Sequence, residues 1–151
     1  MVQWRQDYRF SGGVTVTGEN AKPRIIIVED DPDMQMFLAT LLQEHGFDPI
    51  IAGSTAEGLE LAKDRNPSCF IVNAMVPAED GVSMYVNLKC DDRLKTVPVI
   101  ILSTIERRIF LNYHKIHHTQ DGTRVPEPEA FIEIPPDSEE LLKQIHLLVR
   151  G

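Results

Sequence analysis

The sequence predicts an α/β fold, a doubly wound five-stranded parallel sheet with helices on both faces. Three observations predict it. Short apolar runs alternate along the chain with amphipathic helical stretches, the pattern of right-handed βαβ units. The run Ile25-Ile26-Ile27-Val28 is apolar without interruption, as a strand buried on both faces requires. Helix-start signals also follow at regular places: Asp31-Pro32, Ser54-Thr55-Ala56-Glu57 and Asp137-Ser138-Glu139-Glu140.

Taken in order, the first strand runs over Arg24 to Val28. Asp31 then caps a helix, with proline at its first position. Met34, Phe37, Leu38, Leu41 and Leu42 follow at helical spacing until Gly46 ends it. Phe47 to Ala52 reads as a second strand that Pro49 pushes to a sheet edge. Ser54 to Glu57 is a capping box, with Leu59 and Ala62 facing inward and Asn66-Pro67 as the breaker. Cys69 to Val72 is the third strand, and a loop with Pro77 and Gly81 leads to a helix near Val82 to Cys90. Pro98 to Leu102 is the fourth strand and Phe131-Ile132 a short fifth. The last helix carries the stripe Leu141, Leu142, Ile145, Leu148 and Val149. Residues 1–22 read as a flexible N-terminal extension, although Tyr8 to Phe10 and Val14 to Thr17 have the pattern of a short hairpin. Residues 23–151 form the domain.

Composition narrows the function. The chain has 151 residues, 42% hydrophobic and 25% charged, ordinary for one domain with its own core. No stretch reaches the roughly 18–20 apolar residues needed to span a bilayer. Trp4, Arg5, Gln6, Asp7 and Arg9 break any signal-peptide core, so a cytoplasmic location is expected. Two cysteines without a CxxC pair argue against disulfides, zinc or redox work. A net charge of −8 argues against nucleic acid as a partner.

In a doubly wound sheet, sites form beyond the carboxyl ends of the strands. The residues there are Glu29-Asp30-Asp31, Asn73, Ser103-Thr104 and Ile134. With Ile27 to Pro32, Met75-Val76-Pro77 to Asp80-Gly81, Pro98 to Ser103, Phe131-Ile132 and Pro135 to Leu141, their order and spacing resemble the response-regulator receiver domain (CheY-like) of two-component systems. The resemblance runs from about Arg24 to Val149. It implies a phosphorelay chemistry: an aspartate after the third strand takes a phosphoryl group from a kinase histidine, with Mg²⁺ assistance. Two acids after the first strand hold the metal, and a Ser or Thr and a Lys contact the phosphoryl oxygens.

Against that pattern, the acceptor position is Asn73, a neutral amide and a poor nucleophile toward phosphorus. The lysine position is Ile134, which offers neither charge nor donor. Glu29 and Asp30 stand at the acid positions, Ser103 at the hydroxyl position and Phe131 at the switch aromatic. The resemblance therefore implies a degenerate pseudo-receiver, not an enzyme, that acts by protein–protein interaction. The alternative is a phosphorylatable regulator with an altered or mutated acceptor. No cofactor is required. At Glu29 and Asp30, weak binding of a divalent cation such as Mg²⁺ stands beside a merely solvated acidic rim, and the clustered carboxylates should raise the pKa of at least one. Asp31 reads as a helix cap, Ile134 as an extension of the core, and Phe131 as core packing or a switch.

From Ser103 to Ile134 the chain advances 31 positions, and the stretch Ile105 to Ala130 within them is atypical. It carries Arg107, Arg108, a turn signal at Asp121-Gly122, and an extended Pro126-Glu127-Pro128. His114, His117 and His118 fall at i, i+3 and i+4, half of a zinc-site pattern, a pH-responsive partner surface, or plain surface. Receivers meet partners from the fourth strand to the fifth helix. The rebuilt segment therefore implies another signalling protein, a kinase or output protein, bound on that surface, with a homodimer as a second arrangement and no membrane contact.

Overall fold

The protein is described from a computed structural model, which describes residues 21–74, 81–104, 106, 108 and 125–149, the side chains of 81–83 excepted. The extension 1–20, the loop with Pro77 and Asp80, the His114/His117/His118 group and the Asp121-Gly122 turn lie outside the described residues.

The elements run β1 (Arg24–Val28), α1 (Pro32–Glu44), β2 (Asp48–Ala52), α2 (Thr55–Arg65), β3 (Cys69–Asn73), α3 (Gly81–Cys90), β4 (Val99–Ser103), β5 (Ala130–Glu133) and α4 (Ser138–Val149). The last is the helix counted as the fifth in the receiver scheme above. All strand pairs are parallel, and the order is β2-β1-β3-β4-β5. Pro49 sits on the edge strand β2, where its missing N–H costs the sheet nothing on the solvent side.

The helix signals act through their side chains. The Asp31 carboxylate accepts the Met34 N–H at 3.0 Å, and Pro32 follows it. Ser54 Oγ accepts the Glu57 N–H at 3.1 Å. The return arm of this box departs from the expected pattern, because Glu57 accepts from the Gly53 N–H, one residue ahead of the cap, at 2.8 Å. Asn66 ends α2 with φ +48°, a left-handed conformation that asparagine tolerates. Asp137 accepts the Glu140 N–H at 2.9 Å and opens α4.

The uninterrupted apolar strands feed two cores. Ile25, Ile27, Cys69, Ile71, Ile100, Leu102 and Ile132 face α1 and α4, meeting Leu38, Leu42, Leu141 and Ile145. Ile26, Val28, Phe70, Val72, Val99 and Ile101 face α2 and α3, meeting Ala62, Met84, Tyr85 and Leu88. Each buried aliphatic side chain contributes about 1.5–3 kcal/mol, so neither face of β1, β3 or β4 tolerates a polar alternation. Gly58 lets α2 approach β1 closely: a Cβ there would lie 2.8 Å from Val28 Cγ2 and 3.1 Å from Met84 Cε. Burial also pushes the Cys69 thiol up to about 12, leaving it a small apolar core residue without nucleophilic character.

Because β1 leads outward to β2 while β3 lies on its other side, the chain reverses direction between β1 and β3. That is where a doubly wound sheet opens a crevice at its carboxyl end, and where Glu29 and Asn73 stand.

Candidate functional site

Glu29 follows the last residue of β1. Its backbone N–H donates to the Ala52 carbonyl at 3.0 Å, extending the β1–β2 ladder by one step. Its side chain is buried, with only 1% of the residue exposed. That burial overturns the reading of Glu29 as part of a solvated rim; of the two acids, only Asp30 is exposed. Each Glu29 oxygen has an N–H partner. Oε1 accepts from Asn73 Nδ2 at 2.8 Å, and Oε2 accepts from the Asp31 N–H at 3.0 Å. Gln35, one turn into α1, donates its amide to the Glu29 carbonyl at 2.6 Å. A carboxylate only accepts, so the Asn73 amide must turn its nitrogen toward it.

Burial raises the Glu29 pKa above its ordinary value; the Asp31 N–H and the Asn73 amide pull it back, and Asp30 adds a smaller upward push. The expected repulsion between clustered carboxylates is therefore present but secondary to desolvation. Among the described residues, no lysine, arginine or histidine pairs with Glu29, and no group of three metal-ligating side chains assembles.

Asn73 ends β3 and pairs in register with Leu102 of β4. Ser103 is the next residue of β4 and is fully buried, so sheet register brings it beside the crevice. The Ile134 N–H donates to the Ser103 carbonyl at 2.9 Å, which puts position 134 alongside Ser103. The Ile134 side chain packs half-buried on the α1/α4 core, as its core-extension reading expected. Phe131, also half-buried, packs on the α2/α3 core. Asp31 is occupied as the α1 cap. The carboxyl ends of β1, β3 and β4 thus bring Glu29, Asn73 and Ser103 to one end of the sheet.

A second polar centre was not singled out from sequence. Lys89 of α3 has a side chain only 2% exposed, and its ammonium sits 3.0 Å from Glu129. The same ammonium donates to the carbonyls of Lys95 at 3.3 Å and Val97 at 3.2 Å. The signal for it was available: Lys89 lies one turn after Tyr85 and next to Leu88, on the inward side of an apolar helix.

The comparisons with known proteins follow this geometry. The response regulator receiver domain family matches residues 25–116. The chain is 27% identical over 128 residues to Protein PilH of Pseudomonas aeruginosa, covering 85% of this chain and 98% of that one. It is also 27% identical over 128 residues to the DNA-binding dual master transcriptional regulator RpaA of Synechocystis, covering 85% of this chain but 49% of that protein. Hybrid signal transduction histidine kinase D of Dictyostelium discoideum is 30% identical over 82 residues, 54% of this chain and 5% of the kinase. This chain therefore spans nearly all of PilH, about half of RpaA, and a small part of the kinase. Among solved structures, a sensor protein from Polaromonas superposes with a TM-score of 0.73 at 28% identity, covering 85% of this chain and 96% of that one. The chemotaxis protein CheY4 of Vibrio cholerae superposes with a TM-score of 0.71 at 19% identity, covering 85% and 99%, a likeness of fold.

Proposed function

This chain belongs to the response regulator receiver domain family, a family of signalling modules and not enzymes, and from that premise we propose that it signals by protein–protein interaction without accepting a phosphoryl group. The hydrogen bond from Asn73 Nδ2 to Glu29 Oε1, 2.8 Å long, carries the reading. At the position where the family's reaction needs an anion to attack phosphorus, a neutral amide presents an N–H donor to the neighbouring carboxylate. Half of the reaction's charge is therefore missing, and the other half is already satisfied.

Receiver domains commonly bind Mg²⁺ at the acceptor site, and the donor set here does not fit that ion. Each Glu29 oxygen already accepts an N–H group, Asn73 offers a neutral amide oxygen in place of a carboxylate, and of the exposed carboxylates Asp30 and Asp31 the second is engaged in capping α1. A hard dication takes six or so oxygens and prefers anionic ones. In this reading the amide does what the cation would do, placing positive dipole against Glu29. Ile134 agrees with it, since its side chain packs on the α1/α4 core and brings no charge to the crevice.

Receiver domains act through kinases or output domains, and the surface we assign to the partner runs from β4 through β5 to α4, with a homodimer on the same surface as the alternative arrangement. The net charge of −8 disfavours nucleic acid. No helix among the described residues is long and apolar enough to cross a membrane, in keeping with a cytoplasmic module. The test is incubation of the unmodified protein with acetyl phosphate and Mg²⁺, followed by intact-mass measurement. The expected spectrum has no phosphoryl adduct; a stable adduct assigns the chain to the working receivers. The rival reading, a regulator disabled by one change at position 73, predicts that Asn73→Asp restores labelling in spite of Ile134.

A further inference from the structure

The amino end of the sheet, opposite the crevice, carries a small open pocket. Its volume is about 170 Å³, and it lies between the end of α2 and the turn that leads from α3 to β4. Ala62, Pro67 and Leu94 are buried and Val97 is half-buried, so they form an apolar floor. Lys63 and Arg93 are exposed and stand at the rim. Asp91 holds that side in place, its Oδ1 accepting the Arg93 and Leu94 N–H groups at 2.8 and 3.2 Å. The Arg93 guanidinium reaches α2 by one long bond, 3.5 Å to the Lys63 carbonyl. It pairs with no carboxylate among the described residues. Lys63 is shared with Glu60 at 3.4 Å, which leaves Arg93 as the main cation.

The counterpart of this pocket lies at the other end of the molecule. On α1, Met36 is 71% exposed and Phe37 39%. Asp33, one turn before both, is exposed as well and has no hydrogen bond or ion pair among the described residues. Positions three and four apart share a helix face, so one carboxylate and two apolar side chains form a single patch.

We propose that the pocket takes Met36 from a second copy of this chain, with Asp33 of that copy against Arg93, so that copies associate head to tail. Volume, charge and topology fix the occupant. A volume of about 170 Å³ falls below the roughly 300–1,000 Å³ of small-molecule sites and suits one side chain; methionine, unbranched and adaptable, fills irregular gaps. The chain carries a net charge of −8, so copies repel at a distance. At physiological salt that repulsion is screened beyond about 8 Å, and contact is left to patches of opposite sign. Asp33 opens α1 past the carboxyl end of β1, whereas Pro67 and Val97 precede β3 and β4. The two patches of one chain therefore cannot meet. The contact forms between copies, is heterologous, and leaves an open pocket at one end of each assembly and an open Met36 at the other. It is separate from the β4-to-α4 surface assigned to the signalling partner and independent of the crevice.

The test is sedimentation velocity on the full chain from about 10 μM to about 1 mM. The mean mass should rise steadily with concentration and pass that of a dimer. Arg93→Glu and Asp33→Arg should each weaken association about tenfold or more. Met36→Ala should weaken it about tenfold without altering charge. An equal mixture of the Arg93→Glu and Asp33→Arg proteins should form a dimer that grows no further, because one keeps the patch and the other the pocket. Both substitutions in one chain should restore growth. A chain that stays monomeric to about 1 mM overturns the proposal. So does a dimer that Arg93→Glu and Met36→Ala leave intact, or a mixture that fails to pair.

Discussion

Glu29 and Glu129 are two carboxylates near the core of one small domain, and they are neutralised in opposite ways. Glu29 is buried and answered by dipoles, the Asp31 N–H and the Asn73 amide. Glu129 is partly exposed and answered by a full charge, the buried Lys89 ammonium. The first arrangement sits where receiver chemistry is performed, the second where the chain enters its edge strand. In the proposed reading, the difference teaches that a receiver scaffold can lose the charges of its reaction while keeping the crevice folded, provided donors replace them, and that the Lys89–Glu129 ion pair serves position.

The largest effect should come from breaking the charge–charge centre. Lys89→Ala leaves Glu129 without its counter-ion beside buried carbonyls, and a one-sided loss of a buried pair costs about 3–5 kcal/mol. With the Glu129 side chain a third exposed, the lower end of that range is expected in urea denaturation. A loss under about 1 kcal/mol would place the pair among ordinary surface contacts.

The dipole centre should give less. Asn73→Ala removes one hydrogen bond to a charged acceptor, worth about 1.5–3 kcal/mol. Asn73→Asp should cost at least as much at neutral pH, since it also sets a second carboxylate against Glu29. If Asn73→Asp proves more stable than the unmodified protein without added cations, the amide is not what neutralises Glu29.

The pH dependence of the two centres sharpens the contrast further. Burial raises the folded pKa of Glu29 above its ordinary value of 4.5, so the folded state holds the proton more tightly than the unfolded chain. The stability this contributes is fully present below the ordinary value and is lost as the pH rises through the raised one. Compared with Glu29→Gln, the unmodified protein should therefore lose thermal stability as the pH climbs from about 4 toward neutrality. Parallel melting curves for the two proteins over that range would remove the burial account.

The smallest effect belongs to a pair that resembles Lys89–Glu129 only on paper. Lys63 and Glu60 lie 3.4 Å apart with side chains 64% and 75% exposed. Lys63→Ala should change stability by less than about 0.5 kcal/mol, read in the same urea titration.

Much of this was legible in the sequence because local rules and the fold agree. The unbroken Ile25–Val28 run demanded two buried faces, and both cores appeared. Asp31, Ser54 and Asp137 capped their helices where their spacing placed them. Asn73 and Ile134 were identifiable as neutral residues because a strand end and its following proline fix those positions along the chain. What sequence did not give were facts that depend on distance through space. The burial of Glu29 follows from its place beside β2 and under Asn73, 44 residues on. The return arm of Glu57 to Gly53 depends on the path of the chain ahead of the cap. Lys89 and Glu129 are 40 residues apart; the inward side of α3 signals that Lys89 is buried, but nothing local to either says that the two meet at the entrance of an edge strand.

The central claim, that the Asn73 amide occupies Glu29 in place of a cation, is tested most directly by following the Asn73 side-chain NH₂ resonances in a magnesium titration of the unmodified protein. The account predicts that they remain distinct and unmoved to millimolar Mg²⁺. A saturable shift at Asn73, together with Glu29 and Asp30, would contradict it.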